Sequence, residues 1–448
     1  MSYYIVKSTA LTITYDRMGR SSVSDANLAD RVMDARANAV FNNFSESRSW
    51  YQPSDRIPGV SISHNYVIIT TNAIEAASTK LGDFVTYLAD KQFTPLVITE
   101  DDYGGLTGQA PNGTAEKIRQ WLINYYSSYG IEYVLLIGNP DPDDPGATDS
   151  VGDVPMKMCW PRRHEGAYEE SPTDYFYADL TGNWDLDGDG YFGEYCDAGP
   201  VCGSGHGDVG GVDFANEVYV GRIPIYSGGI ANLDSVLEKT INYGNETDIS
   251  WRESALLPMS FSDASTDGAH LSEAMISDYL NSAGFSDWTL YLQGSVCSAA
   301  DSTFGSDQEL VTDASWQRWR DNDYGMVWWW GHGHATGASL GYSECGWGQI
   351  INSSDTPVLD DSHPSHVYQC SCLNGEPEIG SAVPTSCNLG TALLYNGAIT
   401  TISASRVSWY AVTSWSTRLK YYCDNASIGY YYGQELVTNE KRASVAFF

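Results

Sequence analysis

Basic side chains are scarce in this 448-residue chain, which carries 24 Lys or Arg against 57 Asp or Glu, a formal charge of −33. A surface of that sign repels phosphate backbones and anionic bilayers, so nucleic acid is not an expected partner. Most of the carboxylates read as solvated surface, compatible with solubility, salty surroundings or bound divalent cations. Long apolar runs are missing as well. No stretch of about 18 uninterrupted apolar residues occurs, so no membrane span is expected. The opening MSYYIVKSTALTITY lacks a basic start followed by an apolar segment, so no signal peptide is visible, although a chain that begins after one would look the same.

Cysteine is present in an odd number, nine, which leaves at least one thiol unpaired. Few lysines, many Tyr, Trp, Gly and Ser, and cysteines scattered through loops together suggest a secreted or cell-surface protein with several disulfides. Cys196 and Cys202 flank a short DAGPV loop and are the expected bridge. If one cysteine is a nucleophile, the remaining eight suffice for four bridges.

The length suits two ordinary domains. Residues 1–60 show two alternating segments, Tyr3–Val6 and Leu11–Tyr15, and then a polar connector, SESRSWYQPSD. From Tyr66 the pattern changes to buried-strand runs (YVIIT, then Leu96–Thr99, then YVLLIG from Tyr133) separated by amphipathic helices. One is read from Ile74 through Leu88 and one around Ile118–Tyr125. Strand and helix alternating at this spacing imply right-handed crossovers and a parallel α/β sheet. A Gly- and Asp-rich excursion follows over about 139–216, a length usually reserved for functional or metal-braced loops. After EVYVGRIP and a helix near 230–244, a second α/β series runs through strands at Ala255–Phe261, Trp288–Leu292, the run ending at Trp330, His366–Cys370 and Ala398–Ser403. Helices are expected near 269–283, 307–320 and 388–396. The predicted organisation is α/β throughout: an N-terminal segment 1–60, a first subdomain 61–248 and a second, 249–448.

Within the second series, VWWWGHGHATG carries an apolar strand straight into two glycine-flanked histidines. Gly331 and Gly333 free the backbone after the strand, which puts His332 and His334 at its carboxyl end, where ligands of open parallel sheets bind. The next strand ends in CSCLNG, with Cys372 just past its tip. A cysteine and a histidine at the ends of successive strands can face one cleft. A thiolate beside an imidazolium is a strong nucleophile, and an acyl-enzyme divides amide hydrolysis into two easier steps. Two other readings of the same residues remain: Cys370 as the nucleophile, or a zinc site built from the HGH and CSC pairs.

These motifs resemble the gingipain family of cysteine peptidases, which have a caspase-like fold. The resemblance is carried by Gly331-His332-Gly333 and by Cys372-Leu373-Asn374-Gly375. YVLLIG, TDYFY at 173–177, VYVGRIP at 218–224 and ASRVSW at 404–409 fall in the family's order across about residues 60–415. It implies His332 as general acid and base, Cys372 as nucleophile, and backbone N–H groups of Gly333 and Cys372 as the oxyanion hole, with His334 a bystander. It also implies that Asp263 orients the imidazole, and that Asp267 and Trp409 build an S1 pocket selecting Arg or Lys through charge pairing and cation–π attraction. Either aspartate would otherwise serve as a helix cap or loop residue.

A separate motif, DLDGDGYFGE, alternates Asp185, Asp187 and Asp189 before Gly190, with the Tyr191 carbonyl and Glu194 as further candidates for a structural Ca²⁺ site. Cys196 stands where an EF-hand would place a bidentate Glu. No organic cofactor is expected. The sequence thus predicts a secreted cysteine endopeptidase acting on proteins or peptides. Residues 1–60 would be a prodomain remnant or a linker to the chain's own prodomain, and Arg48 and Arg56 would be self-processing sites. A catalytically silent, calcium-stabilised surface domain of the same fold is the alternative.

Overall fold

The computed structural model describes residues 31–40, 44, 63–142, 150–164, 167–194, 208, 211–421 and 424–448. The expected strands at Tyr3–Val6 and Leu11–Tyr15, Arg48, Arg56 and the Cys196/Cys202 pair lie outside the described residues.

A first sheet is assembled from β1 (Tyr66–Ile69), α1 (Leu81–Asp90), β2 (Pro95–Ile98), α2 (Thr114–Tyr129), β3 (Tyr133–Gly138), β4 (Tyr219–Pro224) and α3 (Ile230–Asn245). Its strands are all parallel, in the order β2-β1-β3-β4. Every residue of β3 is buried, as the unbroken run YVLLIG requires of a strand covered on both faces. The helix read from Ile74 through Leu88 is in fact two, Asn72–Ala77 and α1. Asp234 of α3 explains the break. Its carboxylate accepts the backbone N–H groups of Thr79 (3.1 Å) and Lys80 (3.3 Å) and the Ser78 hydroxyl (2.6 Å), a capping arrangement that a continuous helix would not offer.

The second sheet contains β5 (Ser254–Met259), α4 (Ala269–Met275), β6 (Ser286–Tyr291), β7 (Gln308–Glu309), α5 (Ala314–Arg320), β8 (Met326–Trp330), β9 (His332–His334), β10 (Gly337–Leu340), β11 (Gly348–Asn352), β12 (Ser365–Cys370), α6 (Leu389–Tyr395), β13 (Ala398–Ile402) and α7 (Asn425–Thr438). Six strands run parallel in the order β7-β6-β5-β8-β12-β13, and β9-β10-β11 form a small antiparallel sheet at the end of β8. The helix expected over 307–320 begins only at Ala314. Its first residues extend the sheet edge instead, with the Asp307 carboxylate accepting the Thr289 N–H of β6 at 3.0 Å.

Strand β8 sits at the middle of this sheet, and its five residues are all buried. Val327 and Trp329 pack into one apolar layer and Met326, Trp328 and Trp330 into the other, the period of two that a doubly covered strand imposes. A buried indole N–H needs an acceptor. Trp328 donates to the Gly429 carbonyl of α7, Trp329 to Ser371 Oγ and Trp330 to Ser262 Oγ, at 3.1, 3.0 and 2.6 Å. The three indoles thus tie β8 to the segments that flank its carboxyl end.

The two sheets share a core. Residues of β1, β3 and α3 cluster with Ala392, Leu394 and Tyr395 of α6, and Lys239 of α3 reaches both Asp361 Oδ1 and the Leu394 carbonyl at 2.8 Å.

Candidate active site

β8 and β12 are hydrogen-bonded neighbours, so their tips emerge side by side. Beyond them the Gly331 N–H still donates to the Cys370 carbonyl (3.1 Å) before His332 opens the β9–β10 hairpin. Gly333 lies directly against the Cys372 backbone: a Cβ there would come within 2.7 Å of Cys372 N and would also strike its carbonyl oxygen. Only glycine allows that approach. Among the described residues the Cys372 N–H meets no acceptor.

The Cys372 turn is clamped to the histidine hairpin by Asn374, which is fully buried. Its amide donates to the carbonyls of His334 (2.8 Å) and Gly337 (2.9 Å), while its oxygen receives the Ser371 hydroxyl. Leu373, between Cys372 and the clamp, takes a left-handed backbone conformation with φ 62°, a strained state for a branched side chain that the surrounding bonds hold in place.

The imidazole of His332 is half-buried, and its Nε2 donates to the Ser262 carbonyl at 2.9 Å. A proton fixed on Nε2 leaves Nδ1 as the basic nitrogen. Cys372 Sγ lies 3.3 Å from the Ser408 N–H, which donates to it, and 3.5 Å from the Ser408 carbonyl. Of the other free cysteines described, Cys159, Cys370 and Cys387 are all buried. Burial pushes the Cys370 thiol far above its usual range, which disfavours its thiolate. The only disulfide among the described residues is Cys297–Cys345, so the four bridges considered from the count do not form: Cys159, Cys370 and Cys387 remain thiols.

Asp263 was expected to orient the imidazole, but its carboxylate is engaged elsewhere. It accepts Ser265 N–H and Oγ at 2.7 Å, Thr266 Oγ1 at 2.9 Å and the Tyr410 hydroxyl at 2.8 Å. Burial opposes its ionisation, yet these bonds outweigh burial and hold the carboxyl down to about 2. The group on the imidazole is the carbonyl one residue earlier, and Ser262 Oγ is the acceptor of Trp330. Asp267 is likewise occupied, accepting Ala269 N–H at the start of α4 (2.9 Å) and Ser302 Oγ (2.7 Å). Trp409 is 53% exposed and lines a pocket of about 670 Å³ with Ser408, Tyr410 and Asp424. Asp267 is not among its walls, and the Asp424 carboxylate already pairs with Arg418 at 3.0 Å. The His334 side chain is exposed, with Nδ1 facing Thr336 Oγ1 at 3.4 Å.

Sequence reasoning missed the Ser262 carbonyl, the Ser408 backbone and the Asn374 clamp. It also missed Trp347, whose exposed ring packs edge to face on His332 with centroids 4.9 Å apart. Of these only Asn374 had a signal, its place in C-x-N-G. At the acidic loop, one oxygen each of Asp185, Asp187 and Asp189 lies within 4.8 Å of the others. Glu194 is buried nearby, with its N–H on the Asp208 carboxylate, and the Tyr191 ring packs against Trp160.

A parallel α/β sheet carrying thiol and imidazole at adjacent strand tips has the layout of a caspase-like fold. A family model for peptidase family C25 matches residues 61–444, and the chain belongs to that family. Among solved structures the chain is similar to the Arg-specific cysteine proteinase gingipain R, with 15% identity, a TM-score of 0.55, and 86% of this chain and 72% of that one covered. It is also similar to a complex of the pro- and mature domains of RgpB from Porphyromonas gingivalis, with 15% identity, a TM-score of 0.50, and 86% and 76% covered. No curated protein matches the chain.

Proposed function

We propose that this member of the cysteine peptidase family is an active endopeptidase that cleaves polypeptides through a thioester on Cys372. The observation that carries the reading is the contact between Gly333 and the Cys372 backbone, which sets the imidazole strand against the nucleophile's own amide. The sulfur attacks the scissile carbonyl, the Gly333 and Cys372 N–H groups receive the oxyanion, and His332 passes a proton to the departing amine. Water then attacks the thioester with His332 as base. The Ser262 carbonyl fixes the ring, and Asp263 acts one step removed, holding the 263–266 turn that follows Ser262.

Cleavage after Arg or Lys is part of the proposal. It is supported by the exposed Trp409 and by the strongly acidic chain, although Asp267 lies outside the pocket that Trp409 lines. A divalent Ca²⁺ ion, held by Asp185, Asp187, Asp189 and the Tyr191 carbonyl with Glu194 behind them, would relieve repulsion among three clustered carboxylates and brace the excursion. Action outside the cytoplasm fits the disulfide, and residues 1–60 as a remnant of the chain's own prodomain fit the likeness to the RgpB complex.

The test is digestion of a peptide mixture under mild reduction, with products read by mass spectrometry. Cuts after Arg or Lys that vanish on iodoacetamide treatment and weaken in Trp409→Ala are expected. Cuts without basic preference would remove the specificity, and an inert protein would remove the activity.

A further inference from the structure

We infer that Trp347, fixed beside the imidazole by the Cys297–Cys345 disulfide, forms the wall that receives the residue just after the scissile bond, and that it selects an aromatic or large apolar side chain there. The inference rests on the peptidase reading above and deepens it.

Trp347 is 61% exposed, although three other tryptophans of the same unit, Trp328, Trp329 and Trp330, are fully buried. It is not a loose surface ring. Its plane meets that of His332 at 82°, with centroids 4.9 Å apart. The loop that bears it is tightly bound: Gly341 and Gly346 both turn through positive φ (82° and 71°), the Cys345 N–H donates to the Tyr342 carbonyl (2.9 Å), and the Tyr342 hydroxyl donates to the Ala299 carbonyl (2.8 Å). Cys345, two residues before Trp347, is bonded to Cys297 in the loop after β6. On its other side β11 begins at once with Gly348. The indole is therefore anchored on both flanks while its surface stays open to solvent.

The chemistry of acyl transfer decides which half of the substrate meets it. His332 must hand its proton to the departing amine, so the residue carrying that amine lies on the imidazole side of the scissile bond. The acyl half stays on Cys372, whose sulfur lies against Ser408, next to Trp409. The two exposed tryptophans thus serve opposite halves of the substrate, Trp409 the acyl side and Trp347 the leaving side. An aromatic ring offers apolar area and an edge-to-face partner, which favours apolar and aromatic side chains over glycine or charged ones.

A peptide mixture randomised on both sides of the cleavable bond, with cysteine as reductant, tests this by the residue frequencies after each cut. Wild-type protein is expected to favour Phe, Tyr or Leu over Gly there by about tenfold, the discrimination an apolar contact supplies. Trp347→Ala should bring that ratio to within about twofold and Trp347→Phe should restore most of it, a rescue that a merely structural role would not produce. The paired Cys297→Ser, Cys345→Ser variant should flatten the ratio in the same way by freeing the loop. Wild-type cleavage with no bias at that position, or a bias unchanged in Trp347→Ala, overturns this inference alone. A mixture left intact by wild-type protein overturns the peptidase reading with it.

Discussion

A methyl group added at Gly333 would press on the Cys372 amide at 2.7 Å and on the Ser371 Cβ at 2.9 Å, so the strand tips would have to separate. Gly333→Ala should therefore lower kcat/KM by ~10²-fold or more, the scale of losing an oxyanion donor. Its stability cost should stay near the ~1–3 kcal/mol of ordinary overpacking, as steady-state kinetics and urea unfolding can compare. Asn374→Ala would leave the buried Gly337 carbonyl, and that of His334, without their donor, for a loss of about 1–3 kcal/mol that the unfolding midpoint reads. Activity should fall with it, through a clamp that never meets substrate. The placement of His332 and Cys372 at neighbouring strand tips was legible in the sequence because each follows a strand run and is flanked by residues that bend the chain. The imidazole's acceptor was not, because a backbone carbonyl has no side-chain signature. The acid next to it, Asp263, drew the assignment, and its neighbours Ser265, Thr266 and Tyr410 claim it instead.

Among the elements, β3 and β8 were readable as apolar runs because burial on both faces leaves no polar position to blur them. The helix break at 78–80 and the edge strand at 308–309 were not, since each depends on a carboxylate, Asp234 or Asp307, supplied from elsewhere in the fold. At the start of β12, His366 joins three elements, with Nδ1 on Thr400 Oγ1 of β13 (2.8 Å) and Nε2 facing the Tyr243 hydroxyl of α3 (3.3 Å). Desolvation and the nearby Arg252 charge hold this imidazole down to about 4 from its usual 6.5. The unfolded chain binds the proton first as pH falls, so the contribution of neutral His366 is complete above about pH 6.5 and drains away toward pH 4. Urea midpoints should accordingly drop across that window in wild-type protein and drop less in His366→Gln. Equal slopes in the two proteins would remove His366 as the cause.

For the whole molecule, the charge of −33 and the carboxylate trio at 185–189 point the same way: added cations should stabilise, and calcium more than its ionic strength predicts. At about a hundred times its dissociation constant a bound ion contributes roughly 2.7 kcal/mol, enough to raise the melting temperature by a few degrees. Calorimetry with calcium against matched sodium should show that gap, and Asp187→Asn should close it. The two-sheet α/β architecture was legible at this scale from strand and helix alternation. The pairing of Cys297 with Cys345 was not, because loops 48 residues apart carry no mark of their proximity. The account as a whole is tested most directly by thiol-dependent hydrolysis of Arg- and Lys-ended chromogenic peptides by wild-type and Cys372→Ser protein, side by side. It predicts turnover by the wild type and a loss of at least ~10³-fold in the variant. A serine variant as fast as the wild type, or a reduced wild type that never turns over, would contradict it.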